Sequence, residues 1–215
     1  MSRIEPGPHV NIDRYLDKTA NHVALIGVEL EGGWSVLPPG VKSLIRDGSV
    51  FREGTNTQED FEIIKRLKVK YTGELVSDPM MPMGLPVWMR RNYPHYANRT
   101  CGLHVHMSFN SLVPYKTLMV PEYQWTIVEY LKRWGKEEKI PEDHCFWERL
   151  EGKSEYCNFN FWPDLQVSDK QKDYEHHRKG NRYTAVAYRF GRHRTIECRI
   201  LPMLKDAEMG TRGLK

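Results

Sequence analysis

Four stretches of the sequence carry acids and imidazoles in positions suited to chemistry. Ile26, Val28 and Leu30 alternate with Gly27, Glu29 and Glu31; Leu103, Val105, Met107 and Phe109 alternate with Gly102, His104, His106 and Ser108; Ile196, Cys198 and Ile200 alternate with Glu197 and Arg199; and Glu74 stands within YTGELVS. Side chains alternate faces along a strand, so one face of each stretch packs a core and the other presents its polar groups together. On one sheet, Glu29, Glu31, Glu74 and Glu197 would converge. Two carboxylates about 4 Å apart repel by about 4 kcal/mol at an effective dielectric near 20, so such a cluster needs cations or protons. Hard divalent ions are the natural answer. Oxygen-rich sites suit magnesium or manganese, and manganese and looser magnesium sites tolerate one imidazole per ion. Glu197 and Arg199 on one face would then hold a metal and stabilise charge on a transferring phosphoryl group.

Each stretch also has a plain structural reading. An ExE strand describes a solvated outer face, TIECR a cross-strand ion pair, and HVH a structural pair of histidines. Glu74 and Asp47 describe surface or turn-capping acids. Their joint occurrence is what points to a site.

The elements that must position these residues can be read along the chain. Residues 1–22, with two prolines, read as an N-terminal arm. The first strand is expected over Val23 to Glu31, stopped by Gly32 and Gly33, with Trp34 to Leu37 starting a paired strand. Asp47, Gly48 and Ser49 form a tight turn. Between Thr57 and Val69 the apolar positions Phe61, Ile63, Ile64 and Leu67 fit helix and strand equally. Tyr71 to Ser77 reads as a strand, and the proline-rich segment from Pro79 to Asn98 as a long irregular loop. Pro121 to Trp134 is the clearest helix, with Gly135 as its stop. The stretch 136–180 reads as an insertion over the site. Arg182 to Phe190 and Thr195 to Leu201 form a hairpin, with Pro202 ending the sheet.

The bulk composition is that of an ordinary globular chain: 40% hydrophobic and 28% charged residues exclude disorder as the general state. The formal charge of +4, from 32 basic and 28 acidic residues, is too small and too evenly spread to suggest a nucleic-acid partner. No run approaches the roughly 18 apolar residues of a membrane span, and the N-terminus lacks a signal peptide's blocks, so a cytoplasmic protein is expected. Cys101, Cys145, Cys157 and Cys198 form no CxxC pair. Reduced thiols fit better than a closed zinc site, with a Cys145 to Cys157 bridge left open.

GVELE, DGS, GELVSDP, TCGLHVHMSF and RTIECRILP together resemble, in order and style, the type 2 amidoligases, carboxylate-amine ligases of bacteria and phages. The resemblance spans Val23 to Met203 through five short motifs. It implies an α+β, glutamine-synthetase-like catalytic domain over 23–215, a curved, mainly antiparallel sheet with helices packed on the convex side and the site on the concave one. It implies that Glu29, His104 and Glu197 hold one ion on the phosphates of ATP, and that Glu31, Asp47 and Glu74 hold another nearer the substrate carboxylate. Arg199 would contact the transferring phosphate, His106 and Ser108 would line the nucleotide, and Arg182 would meet a phosphate or carboxylate. Glu31, Glu197 and Arg199 are then the catalytic set.

The implied reaction uses ATP and Mg2+ (or Mn2+). The γ-phosphoryl group passes to a substrate carboxylate, and an amine attacks the acyl phosphate to give an amide. Small-molecule or peptide acids and amines are the implied partners, and neither the family nor the chain indicates an oligomeric state. Trp88, Arg90, Arg91, Trp147 and Arg149 suit a peptide or amino-acid substrate; equally, the aromatics among them suit small satellite cores under long loops. Two alternatives stand beside the ligase: a metal-dependent hydrolase with His104 and His106 as ligands, and an inactive binding module of the same fold.

Overall fold

A computed structural model describes residues 23–52, 54–109, 121–157, 159, 185–189 and 195–214. The described residues are mixed α and β, with five strands among them: β1 (Val23–Trp34), β2 (Tyr71–Val76), β3 (Leu103–Phe109), β4 (Val186–Arg189) and β5 (Thr195–Cys198). They are hydrogen-bonded in the order β2-β1-β3-β5-β4 as an antiparallel sheet. By packing the chain divides into two compact units, one of Met1–Leu25 and Met107–Glu197, the other of Ile26–His106 and Cys198–Lys215. Among the described residues no helix is long and apolar enough to cross a membrane.

The second unit holds nearly all the candidate chemistry. β1 keeps Ile26, Val28 and Leu30 buried on one face, as alternation requires. It does not stop at Gly32 and Gly33; it runs through both to Trp34, and no strand begins there. The reason is close packing. A Cβ on Gly32 would lie 2.6 Å from Pro94 Cβ and 2.9 Å from the carbonyl oxygen of Tyr96, and one on Gly33 would lie 2.7 Å from Val69 Cγ1. Glycine lets other chain segments cross the strand there.

Thr57–Val69 resolves as a helix, α1 (Gln58–Arg66), started by a capping box. The Thr57 hydroxyl accepts from the Asp60 N–H at 3.1 Å and Asp60 Oδ2 accepts from the Thr57 N–H at 2.6 Å. Glu59 and Asp60 in the first turn and Lys65 and Arg66 in the last complement the helix dipole. Apolar periodicity could not decide this segment because none of the helix residues is buried.

The expected loop from Pro79 to Asn98 instead contains a 3-10 turn (Pro82–Gly84) and the helix α2 (Leu85–Asn92). Pro82 and Pro86 occupy first-turn positions, where the missing N–H has no intrahelical partner to lose. Leu85, Met89 and Asn92 form the buried face of α2, and the Trp34 indole donates to the Asn92 carbonyl at 3.0 Å. α2 packs on a later helix, counted below as α5 (Ala207–Gly213), where Asp206 caps the first turn through Met209 N–H at 2.8 Å. Pairing also crosses Pro202. Leu103 N–H donates to Leu201 O and Met203 N–H to Cys101 O, so Pro202, bridged with Gly102, sits where no ladder N–H is required.

In the first unit, α3 (Pro121–Glu137) carries Val128, Leu131 and Trp134 on its buried face. Gly135 lies within this helix and does not end it, because the Phe146 ring occupies the space of its missing side chain. Phe146 belongs to α4 (Cys145–Leu150) and meets Trp134 edge-on with centroids 5.9 Å apart. Arg149 is 1% exposed, and the Trp147 indole donates to the Pro141 carbonyl at 2.8 Å. Trp147, whose ring also lies beside Gly135, therefore serves the packing of this helix pair, the satellite-core alternative for the aromatics. β4 and β5 are neighbours as expected of the hairpin. Its turn, the N-terminal arm, residues 160–184 and Arg182 lie outside the described residues.

Candidate metal centre

The site is built on one face of β1, β2 and β3. The register of β1 with β2 sets Leu30 opposite Leu75 on the buried side and Glu31 opposite Glu74 on the other. Two like charges directly across an antiparallel pair destabilise it unless a counter-charge intervenes. A third acid is brought in from the far side of β2. Ile45 and Glu74 exchange main-chain hydrogen bonds of 2.8 and 2.9 Å, which holds Asp47, two residues on, beside the strand. Asp47 Oδ1 accepts from both the N–H and the hydroxyl of Ser49 at 2.7 Å, the tight turn expected at DGS.

From β3, both imidazoles meet Glu29. His104 Nδ1 lies 3.0 Å from Glu29 Oε2, and His106 Nε2 lies 2.7 Å from Glu29 Oε1. His104 Nε2 is 3.8 Å from Glu31 Oε1, whose other oxygen accepts the Gly102 N–H at 2.6 Å. His104 and Glu31 are 2% and 3% exposed, whereas Glu29 and His106 keep 18% and 20% open to solvent. One rim of the cluster is thus accessible.

The electrostatics follow from these positions. Burial tends to raise the Glu29 carboxyl, but hydrogen bonds from His104 and His106, with their charges, outweigh it and hold the group far below the usual carboxylate range. Glu74 goes the other way. Burial, followed by the charges of Glu29, Glu31 and Asp47, pushes it up to about 8, against the opposing pull of Arg199. One face therefore joins four carboxylates and two imidazoles, with the Arg199 guanidinium acting on the same field.

Six of the expected residues, Glu29, Glu31, Asp47, Glu74, His104 and His106, thus come together within one unit, and Arg199 acts electrostatically on Glu74. Glu197 is 2% exposed on β5 and belongs to the first unit. Ser108, also of that unit, donates its hydroxyl to the Leu25 carbonyl at 3.2 Å. His106, expected beside the nucleotide, instead meets Glu29, as His104 does.

Sequence reasoning missed Gly102, whose only local signal is a small residue before the HxH strand. A Cβ there would overlap His104 Nε2 and lie 3.2 Å from Glu31 Oε2. Gly102→Ala is accordingly expected to cost about 1–3 kcal/mol and to displace the His104 ring from Glu29. Ring 15N shifts of His104 report this; unchanged shifts would contradict the packing described. No protein-family model, curated protein or solved structure matches the chain.

Proposed function

We propose that this chain is an ATP- and magnesium-dependent carboxylate-amine ligase. The observation that carries the reading is the convergence of Glu29, Glu31, Asp47 and Glu74 with His104 and His106 on one sheet face, next to the charge of Arg199. The donor set fits hard divalent cations. Oxygen ligands dominate, and the repulsion that keeps a proton on Glu74 is what a bound cation would relieve. Bound magnesium would supply charge neutralisation at phosphate oxygens.

In this reading Glu29, His104 and Glu197 form one ligand group, and Glu31, Asp47 and Glu74 the other. The main-chain N–H of Gly102 fixes the Glu31 carboxylate, and Glu29 is fixed by both histidines. Arg199 stabilises charge on the transferring phosphoryl group. A substrate carboxylate oxygen attacks the γ-phosphorus and ADP departs. The amine then attacks the acyl carbon, phosphate leaves with the former carboxylate oxygen, and the ammonium proton passes to solvent. No protein nucleophile takes part, and the thiols of Cys101 and Cys198 are left without a covalent role.

Calorimetric titration of ATP into the chelator-treated protein, with and without magnesium and again with Glu197→Ala, tests the reading. Binding that requires magnesium and disappears in the variant is expected. Absence of nucleotide binding together with tight zinc or manganese uptake would replace the ligase by a hydrolase built on His104, His106 and Glu29.

A further inference from the structure

The main chain of Phe51 is gripped at both of its polar groups. Its N–H donates to the Thr100 hydroxyl oxygen at 3.0 Å, and its carbonyl accepts from Asn56 Nδ2 at 3.3 Å. Asn56 Oδ1 in turn accepts from Asn98 Nδ2 at 2.9 Å. Asn98 Oδ1 accepts the Thr100 hydroxyl at 2.6 Å and the Thr100 N–H at 3.0 Å, which closes a ring of four residues. Thr100 is 1% exposed, so this ring has no water to replace its bonds at that point.

The residue inside the ring is strained. Phe51 has φ of 51°, the left-handed region, which a residue with a Cβ rarely adopts. Such a conformation persists where the surroundings over-determine it. Here the surroundings are the ring, the Tyr96 side chain stacked on Phe51 with centroids 5.8 Å apart, and Gly33, whose missing side chain makes room for the Phe51 ring.

The position of the ring gives it a further role. Phe51 lies four residues after Asp47, on the loop that holds that acid, and Thr100 lies two residues before Gly102, which binds Glu31. The ring therefore ties the Asp47 loop to the start of β3. We propose that Thr100 is a positioning residue whose hydroxyl, through the Phe51 N–H, fixes the Asp47 loop against β3 and so sets the cation affinity of the acid cluster. This rests on the reading of that cluster as a divalent-cation site. Threonine suits the task because one hydroxyl accepts from Phe51 while donating to Asn98; valine has the same shape and does neither.

Three variants test it: Thr100→Val, Thr100→Ser, and Asn56→Ala, which opens the ring on the carbonyl side of Phe51. Mn2+ titration of the chelator-treated chain is read alongside amide hydrogen exchange at Phe51. Thr100→Val and Asn56→Ala are expected to lose protection at Phe51 and to bind Mn2+ about tenfold more weakly or worse, the scale of a lost supporting contact at a metal site. Thr100→Ser is expected to restore both. Continued protection at Phe51 in Thr100→Val, or loss of protection with wild-type Mn2+ affinity, overturns the proposal. If Thr100→Val does not fold, Asn56→Ala decides by the same two readings. A wild-type chain that takes up no Mn2+ overturns the cation reading and the role of Thr100 with it. The exchange at Phe51 distinguishes that outcome from an absent clasp.

Discussion

In chelator at pH 9, Glu74→Gln is expected to be more stable than the parent chain by about 1–3 kcal/mol, solvent screening of this half-buried group reducing the full effect, and yet to have lost divalent-cation affinity by about a hundredfold. Glutamine keeps the shape of Glu74 and removes the charge that Glu29, Glu31 and Asp47 oppose. The pH dependence has a definite sign. Glu74 titrates near 8 when folded and near the ordinary glutamate value of 4.5 when unfolded, so between these values the folded chain holds a proton that the unfolded chain has released. Stability therefore falls as pH rises from about 4.5 to about 8, by up to about 1.4 kcal/mol for each pH unit, and levels off above. The variant lacks this decline. Denaturant melts between pH 4.5 and 9 measure it, and parallel profiles for the two proteins would show that the four acids do not share a field.

Glu29→Ala is expected to move stability in the opposite direction. Its carboxylate accepts from two imidazoles, one of them on the buried His104, and truncation leaves both rings facing a gap. Breaking a buried pair by removing one partner costs about 3–5 kcal/mol, and the partial exposure of Glu29 places this case toward the lower end. Because the folded carboxyl is depressed, its contribution is fully present above the unfolded value near 4.5 and is lost as pH falls below that value. The gap between Glu29→Ala and the parent chain should accordingly be widest near neutrality and narrow in acid. Magnesium-dependent ATP binding should vanish in the same variant. Equal stability at pH 7 would mean that the ExE strand is the solvated face that its sequence also permits.

The faces of the three site-bearing strands were legible because alternation is a local property. GVELE and LHVHM each place apolar residues at every second position, and of these Val28, Leu30, Leu103 and Val105 are buried. The segment Thr57–Val69 was ambiguous by periodicity, since α1 buries none of its residues, yet Thr57 and Asp60 at the spacing of a capping box carried a helix-start signal. Proline and glycine misled where their usual meaning as breakers was taken alone. Pro82 and Pro86 start helical turns, and Gly32, Gly33 and Gly135 sit inside elements because a neighbour from far along the chain fills the space of the missing side chain. The hold of Gly102 on Glu31 and the two bonds that close the ring at Phe51, to Thr100 and between Asn98 and Asn56, join residues 42 to 71 positions apart. Such contacts leave no mark in any short window of sequence.

The close crossings at Gly32 and Gly33 and the tight fit at Gly102 bear on how a mutational library of this protein would read. Under selection for activity, these glycines and the acids Glu29 and Glu74 would tolerate equally few substitutions, for unrelated reasons. Selection for folding alone would separate them. Positions 32, 33 and 102 would stay glycine, because Pro94, Val69 and His104 fill the space that a side chain would need. Position 74 would drift toward neutral residues, since there the fold opposes the charge that the proposed cation site would need.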